Sequence, residues 1–577
     1  MKRFALLLVF AAVAAAGVVY TVRRGQSISH ANVTSLLPRD AVAFVHVPDF
    51  NRTRDEWHQT DIYKLYREPA VQEFLDRPLS KVPQRDASSQ TLAEIEQLAP
   101  KDAFVAVTSI ENNNPHFAGG FRFRGSQSDA EKIIEGWRSQ LVRDASVRET
   151  VDYEKHKIDI VGAAPNQVAS VYDGQWFFVS NDLAELKSVL DRADGRALAT
   201  ASPSTGGKDA QTRLEADEAF RAAMTHMPRS YALLFYIQPK GVSEKLGKVR
   251  DAIGASGQST NVVDQIHSVC GATRFDNAKM RDVLFVGMPE RQPERKLTRS
   301  SLDLGTPETF LYLATLLNPD RLAEINQGGL PTGTWLQKVF EAAARAGVSV
   351  DDWKTAFDQE LGSLADWPQS ARWPSIIATM TVKDFARASK VVDALTHAIE
   401  VEPSWTRTEK DGVTYLYMQT PGALLAITPT IALSNQKMII GLDSVSVESA
   451  MKRASGQSSS GLARSSGYKM AARAVPAPTD AFVYVDTALL YSRLDAALRP
   501  MLLMSAAFMP AVSDYVDVSK LPQPEIVAGH LSPIVSSQRY EGDGYVTESV
   551  GPVTLSEAAI GLGLPAIFWG AGRQRSH

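Results

Sequence analysis

His46 interrupts an apolar run, AVAFVHV at 41–47, and Asp49 follows three residues later. A neutral imidazole near a carboxylate can accept a proton or ligate a metal. On a strand, such a histidine more often holds a hydrogen-bonded place at the sheet face, and that is the reading adopted. His58, His116, His156, His226, His267 and His530 are scattered without ligand spacing. Ser466 and Lys469 have the Ser-x-x-Lys spacing that lets a helical lysine reach a serine hydroxyl. The companion S-x-N and K-T-G elements are missing, so this pattern is not read as catalytic.

Other nucleotide, nucleophile and metal motifs fail on one residue or more. Gly206-Gly207-Lys208 is followed by Asp209 where a P-loop needs Ser or Thr for magnesium. Gly254-Ala255-Ser256-Gly257 breaks the spacing of a nucleophile elbow. Glu541-Gly542-Asp543-Gly544 lacks the further oxygen ligands of a calcium loop and reads as a hairpin turn. Cys270 is the one cysteine, so an internal disulfide and a cysteine-built zinc site are both excluded. A net charge of −4 offers no basic field for nucleic acid. No catalytic, cofactor-binding or metal residue is assigned, no cofactor is expected, and the enzyme reading is disfavoured.

Two stretches suit recognition. Residues 498–512, LRPMLLMSAAFMPAV, are apolar nearly all round and rich in methionine. Met501, Met504, Phe508 and Met509 form a candidate apolar binding surface, because flexible thioethers adapt to varied partners; a buried helix is the plainer alternative. Residues 366–374 carry Trp367 and Trp373 in a loop, a candidate recognition site if the rings are exposed and a core plug if they are packed.

The elements around these residues repeat. At 577 residues, with 44% hydrophobic and 22% charged residues, the chain suits two to four folded domains. A Pro-containing turn precedes an apolar strand at Pro38, Pro100, Pro228, Pro307 and Pro478. Residues 117–123 alternate as a strand, Ser128 and Glu131 suggest a capping box, 150–161 alternate again, and Asp173-Gly174 marks a hairpin before a helix capped at Asn181 or Asp182. Residues 55–75 read as helical and 78–89 as a loop. After residue 297 the same order of elements returns, with Thr315 at the position aligned to His46. The expectation is an α+β fold of two duplicated halves, each a mainly antiparallel sheet with helices packed on one side. The expected segments are 1–28, 29–296, 297–550 and an apolar tail at 551–577.

Lys2 and Arg3 precede an apolar stretch at 4–22 that Arg23 and Arg24 close. Nineteen residues at helical rise span about 28 Å, close to a bilayer's hydrocarbon thickness, so an amino-terminal transmembrane helix is the preferred reading. A signal peptide cleaved near Ala14-Ala15-Ala16 is the alternative. Both export the rest of the chain. The tail, with Trp569 beside Arg573, reads as packed or interfacial, and a second anchor is the other option.

The opening LPRDAVAFVHVPD at 37–49, just after the apolar segment and echoed at Pro100, Pro228 and Pro478, resembles exported, membrane-anchored bacterial proteins of a domain-of-unknown-function family. Those proteins begin their folded part with an L-P-x-D-[AT]-x-x-[FY]-[VI]-x-[VI]-x-[DN] strand. The resemblance implies repeated α+β modules and a bacterial cell-envelope location, and carries over no catalytic residue. The expected role is binding or structural work at the envelope, with the membrane and an envelope protein as partners and no nucleic acid. An envelope hydrolase with a site assembled from distant residues and a carrier or chaperone for apolar ligands are the alternatives.

Overall fold

The computed structural model describes residues 31–80, 85–111, 114–141, 148–162, 167–195, 212–239, 265–290, 295–317, 344–345, 347–398, 405–418, 427–456, 461–508 and 517–555. The apolar stretch at 4–22 and the tail from 556 lie outside them. Among the described residues no helix is long and apolar enough to cross a membrane. The chain divides into two compact units, one of residues 1–68, 75–251 and 262–289, the other of 69–74, 252–261 and 290–577.

Among the described residues the first unit holds ten antiparallel strands. They are β1 (Ala43–Asp49), β2 (Lys101–Glu111), β3 (Asn114–Arg122), β4 (Arg148–Tyr153), β5 (His156–Val161), β6 (Val168–Asp173), β7 (Trp176–Ser180), β8 (Leu233–Ile237), β9 (Ser268–Asp276) and β10 (Lys279–Gly287). Their order across the sheet is β4-β5-β6-β7-β3-β2-β1-β8-β9-β10. The second unit has β11 (Thr309–Leu316), β12 (Phe357–Asp366), β13 (Ser375–Val382), β14 (Trp405–Lys410), β15 (Val413–Met418), β16 (Thr430–Leu433), β17 (Lys437–Gly441), β18 (Ala481–Val485), β19 (Ile534–Tyr540) and β20 (Gly544–Gly551). Its order is β14-β15-β16-β17-β13-β12-β11-β18-β19-β20, position for position that of the first. Register agrees at the centre. Phe44 lies opposite Ala106 and Tyr236, and Tyr312 opposite Leu364 and Tyr484. By that register the counterpart of His46 is Ala314, not Thr315.

Helices cover both faces of each sheet, which corrects the one-sided packing expected. In β17, Met438 packs with the helix Phe385–Ala398, whereas Ile439 packs with the helix Ser444–Ala454. Successive strand residues point to opposite faces, so the two helices cover opposite sides. All four residues of β16 are buried, as a strand covered on both faces requires. In the first unit Phe177 packs with the helix Gln127–Leu141, and Val47 with the helix Arg85–Leu98. On the other face Phe44 and Tyr236 meet Phe220 of the helix Glu218–Thr225, with ring centroids 5.9 and 5.1 Å away.

Several local expectations shift by a few residues for identifiable reasons. Residues 150–161 are two strands, because Glu154 takes a positive φ of 53° and turns the chain. Ser126, not Ser128, caps the next helix, accepting from the Asp129 amide. Residues 55–75 fall in three helices, Phe50–Trp57, Asp61–Arg67 and Pro69–Ser80; Thr60 caps the second and Pro69 begins the third. The expected loop after Pro78 is helical at 85–98. The hairpin at Asp173-Gly174 forms where the sequence places it, with Gly174 at positive φ, and β9 and β10 join through a turn with Asn277 and Ala278 at positive φ.

Candidate functional site

β1 carries His46 on the same face as Phe44, and pairing with β2 brings Phe104 beside it. His46 is buried, and its Nδ1 lies 2.8 Å from the Tyr231 hydroxyl. Its Nε2 is 3.7 Å from Oδ1 of Asp102, too long for a hydrogen bond. The other Asp102 oxygen accepts from Arg122, whose guanidinium sits 5.7 Å from the Trp176 ring centre. Asp102 adopts φ of 48°, uncommon for a non-glycine residue, at the start of β2. The chain Tyr231–His46–Asp102–Arg122 thus has the residue types of a proton relay. Tyr231, His46 and Asp102 are each at most 4% exposed. Burial raises the Tyr231 phenol, the opposite of what an activated hydroxyl needs. Tyr231, His46 and Asp102 are thus sealed from solvent, and only the Arg122 end of the chain is partly open.

Asp49, the carboxylate near His46 in sequence, is not its partner. An odd spacing puts it on the opposite face. There it caps the helix Phe50–Trp57 by accepting from the Arg52 amide at 2.9 Å, and it pairs with Lys101 at 3.1 Å. His46→Gln should cost about 1–3 kcal/mol, the value of a buried polar contact, as read by chemical denaturation. A loss of function without that loss of stability would restore a chemical role.

A polar concavity of about 860 Å³ lies between the helix Gln127–Leu141 and strands β4–β6. Several of its charges are paired: Arg148 meets Glu135 at 3.1 Å and Asp159 at 3.2 Å, and Lys132 meets Asp129 at 3.5 Å. At its edge His156 sits between two carboxylates, with Nε2 3.0 Å from Asp194 and Nδ1 3.9 Å from Asp173. These three are side chains of metal-binding type within ligand range of one another. The two carboxylates, however, face different ring nitrogens, and the second Asp194 oxygen is 2.6 Å from Lys155. The geometry is that of Lys155 neutralising the Asp194 carboxylate at the end of the helix Leu183–Ala193, where the helix dipole disfavours negative charge. Burial pushes the Asp194 carboxyl up, and the hydrogen bonds from Lys155 and His156 more than offset it, leaving the group below its usual range.

The candidate that stays open to solvent is the helix Thr487–Phe508. Asp486 caps it through the Leu489 amide at 3.0 Å. Leu489, Leu490 and Ala497 pack against Phe310, Ala365 and Trp367. Arg493 donates to the Trp367 carbonyl at 2.9 Å, and Arg499 pairs with Asp495 and donates to the Leu521 and Pro522 carbonyls. The charged side chains therefore face the protein. Leu494, Leu498, Met501, Leu502, Leu503 and Met504 are exposed, Met504 at 58%. The buried-helix alternative for this stretch is overturned at Met501 and Met504. The Phe508 side chain and Met509 lie outside the described residues.

The tryptophan loop separates into two roles. Trp367 is 3% exposed and closes the cluster under that helix, its indole N–H donating to the Ala371 carbonyl, so its reading as an exposed recognition residue is corrected. Trp373 is exposed, with the Arg372 guanidinium 5.6 Å from its ring centre. Ser466 and Lys469 stand on the solvent side of the helix Ser466–Arg473, where Ser465 is the cap. Cys270 is fully buried, and burial pushes its thiol up to about 12. Sequence reasoning missed Asp102, Arg122 and Tyr231 as partners of His46, because only sheet pairing brings positions 46, 102, 122 and 231 together.

No protein family matches the chain, and no curated protein matches it. Solved structures give low overlaps with TP0453. Crystal form III has a TM-score of 0.23 at 9% identity, covering 45% of this chain and 80% of that one. Crystal form I has 0.23 at 8% identity, covering 46% and 82%. Overlaps this low carry no inference about fold or function.

Proposed function

We propose that this chain is a membrane-tethered protein of the bacterial envelope, held by its amino-terminal apolar segment, that works by binding rather than by catalysis. One observation carries the binding reading: from Leu494 onward the helix Thr487–Phe508 keeps Arg499 on the protein and turns Leu494, Leu498 and Met501 to Met504 to solvent. Exposed contiguous apolar surface of this kind is costly in water and marks a contact site. In the polar clusters, by contrast, Asp102, Arg148, Asp159 and Asp194 already have internal partners. The shared order of ten strands and the matching central register support descent of the two units from one duplicated ancestor. In that history the sheets are the conserved scaffold, and the segment between β18 and β19 is where the second unit carries its contact helix.

A photo-crosslinker at Leu503 of the full chain in intact cells tests the reading. It should form adducts that a crosslinker at the exposed Glu409 of β14 does not, and Leu502→Asp should abolish them while leaving the near-ultraviolet circular dichroism unchanged. Equal adduct yields at 503 and 409 would sink it.

A further inference from the structure

We propose that the partner of the Thr487–Phe508 helix is the lipid surface of the membrane, entered by the helix end from Pro500 onward. The inference rests on the binding reading above and names its occupant. Three observations favour lipid over a protein groove.

The first is shape. Pro500, Met501, Leu502, Leu503 and Met504 are all exposed. At 100° per residue, five consecutive positions cover the whole circumference of a helix. A helix that docks in a protein groove presents one apolar stripe and keeps a polar back. An end that is apolar all round needs a medium that surrounds it.

The second is charge. Arg499 is the last charged residue before the tip, and none follows from Pro500 to Ser513. Nothing ionised has to be desolvated when the tip leaves water. The three charges on the helix, Arg493, Asp495 and Arg499, are already tied to one another or to backbone carbonyls of the fold. They hold the base of the helix in place while the tip projects.

The third is length and polarity together. At 22 residues the helix is about 33 Å long, yet its charges keep it from being a membrane span. An apolar end on a charged, protein-bound base fits shallow interfacial insertion. A single shallow insertion binds weakly by itself. On a chain already tethered it becomes an intramolecular contact, and its role is then to orient the folded part against the membrane.

The test uses the full chain in vesicles of phosphatidylcholine and phosphatidylglycerol. Cys270 is the one cysteine and is fully buried, so a Leu503→Cys thiol takes an environment-sensitive fluorophore selectively. Glu409→Cys, on the exposed strand β14, is the control. Nitroxides on the lipid chains should quench the label at 503 several-fold more than at 409, with blue-shifted emission, and Leu502→Asp should reverse both effects. Blue-shifted emission at 503 without extra nitroxide quenching would mean a protein cover, whether the chain's own tail, a second copy or another protein. That result overturns lipid and leaves the binding reading standing. Water-like emission with equal quenching at both positions overturns both.

Discussion

Phe44→Asp should unfold the first unit. Phe44 is 2% exposed in β1, which lies between β2 and β8, and its ring meets Phe220 and Tyr236 at 5.9 and 6.1 Å. Losing that ring from a packed site costs about 3–5 kcal/mol. Burying an unpaired carboxylate adds several more, or forces it to take up a proton. The sum approaches the whole stability of an ordinary domain, about 5–15 kcal/mol. Peptide-resolved hydrogen exchange should find β1, β2 and β8 unprotected. The neighbouring Val45 is 36% exposed on the other face, so Val45→Asp should cost only about 1 kcal/mol or less. Protection of β1 in the Phe44 variant at the wild-type level would refute the assignment of this strand as core.

The second large effect concerns Glu360 in β12. One carboxylate oxygen accepts from the Thr298 amide at 2.8 Å, the Thr298 hydroxyl at 2.7 Å and the Arg299 amide at 2.9 Å. The other accepts from the Ser300 amide at 2.6 Å and its hydroxyl at 3.2 Å. The residue is buried. It therefore holds the strand-free segment 298–300 against the second sheet. Glu360→Gln would keep one acceptor oxygen and point an NH2 group at donors, leaving buried amides unmatched. The expected cost is about 3–5 kcal/mol.

The same contacts give the pH dependence its sign. Burial pushes the Glu360 carboxyl up, but the hydrogen bonds from Thr298, Ser300 and Arg299 outweigh it and hold the group below its ordinary value of 4.5. A carboxyl lowered by folding stabilises the folded state fully above its ordinary value and progressively less as pH falls through the folded one. The stability gap between wild type and Glu360→Gln should thus be widest near neutrality and narrow in acid. Denaturant melts at several pH values would read it, and a gap that widened in acid would contradict the hydrogen-bond account.

How much of this was legible in the sequence depends on the range of the interaction. The hairpin at Asp173-Gly174 and the cap at Asp182 depend on a few adjacent residues, and both stand where the sequence puts them. The cap expected at Ser128 stands at Ser126; both serines precede an acidic residue at the right spacing, Asp129 for the one and Glu131 for the other. Helices on both faces were not read. β16, TIAL, is too short for its alternation to tell one buried face from two. His46 stands out in the sequence, but the carboxylate nearest its ring, Asp102, is 56 residues away in sequence and one strand away in space.

The apolar helix divides in the same manner. Composition alone identified 498–512 as apolar and free of carboxylates. Whether those side chains face a core or solvent depends on which face the rest of the fold occupies. The arginines decide it, because Arg493 and Arg499 find carbonyls at 367, 521 and 522 and turn the leucines outward. The sequence by itself determined the repeated strands, the turns and the apolar character of this helix, since each follows from propensity, patterning and local hydrogen bonding. Only the tertiary structure decided that the histidine is sealed in, that Trp367 is core and that Met501 to Met504 are open. Burial is a property of what packs against a residue, and those partners come from distant parts of the chain.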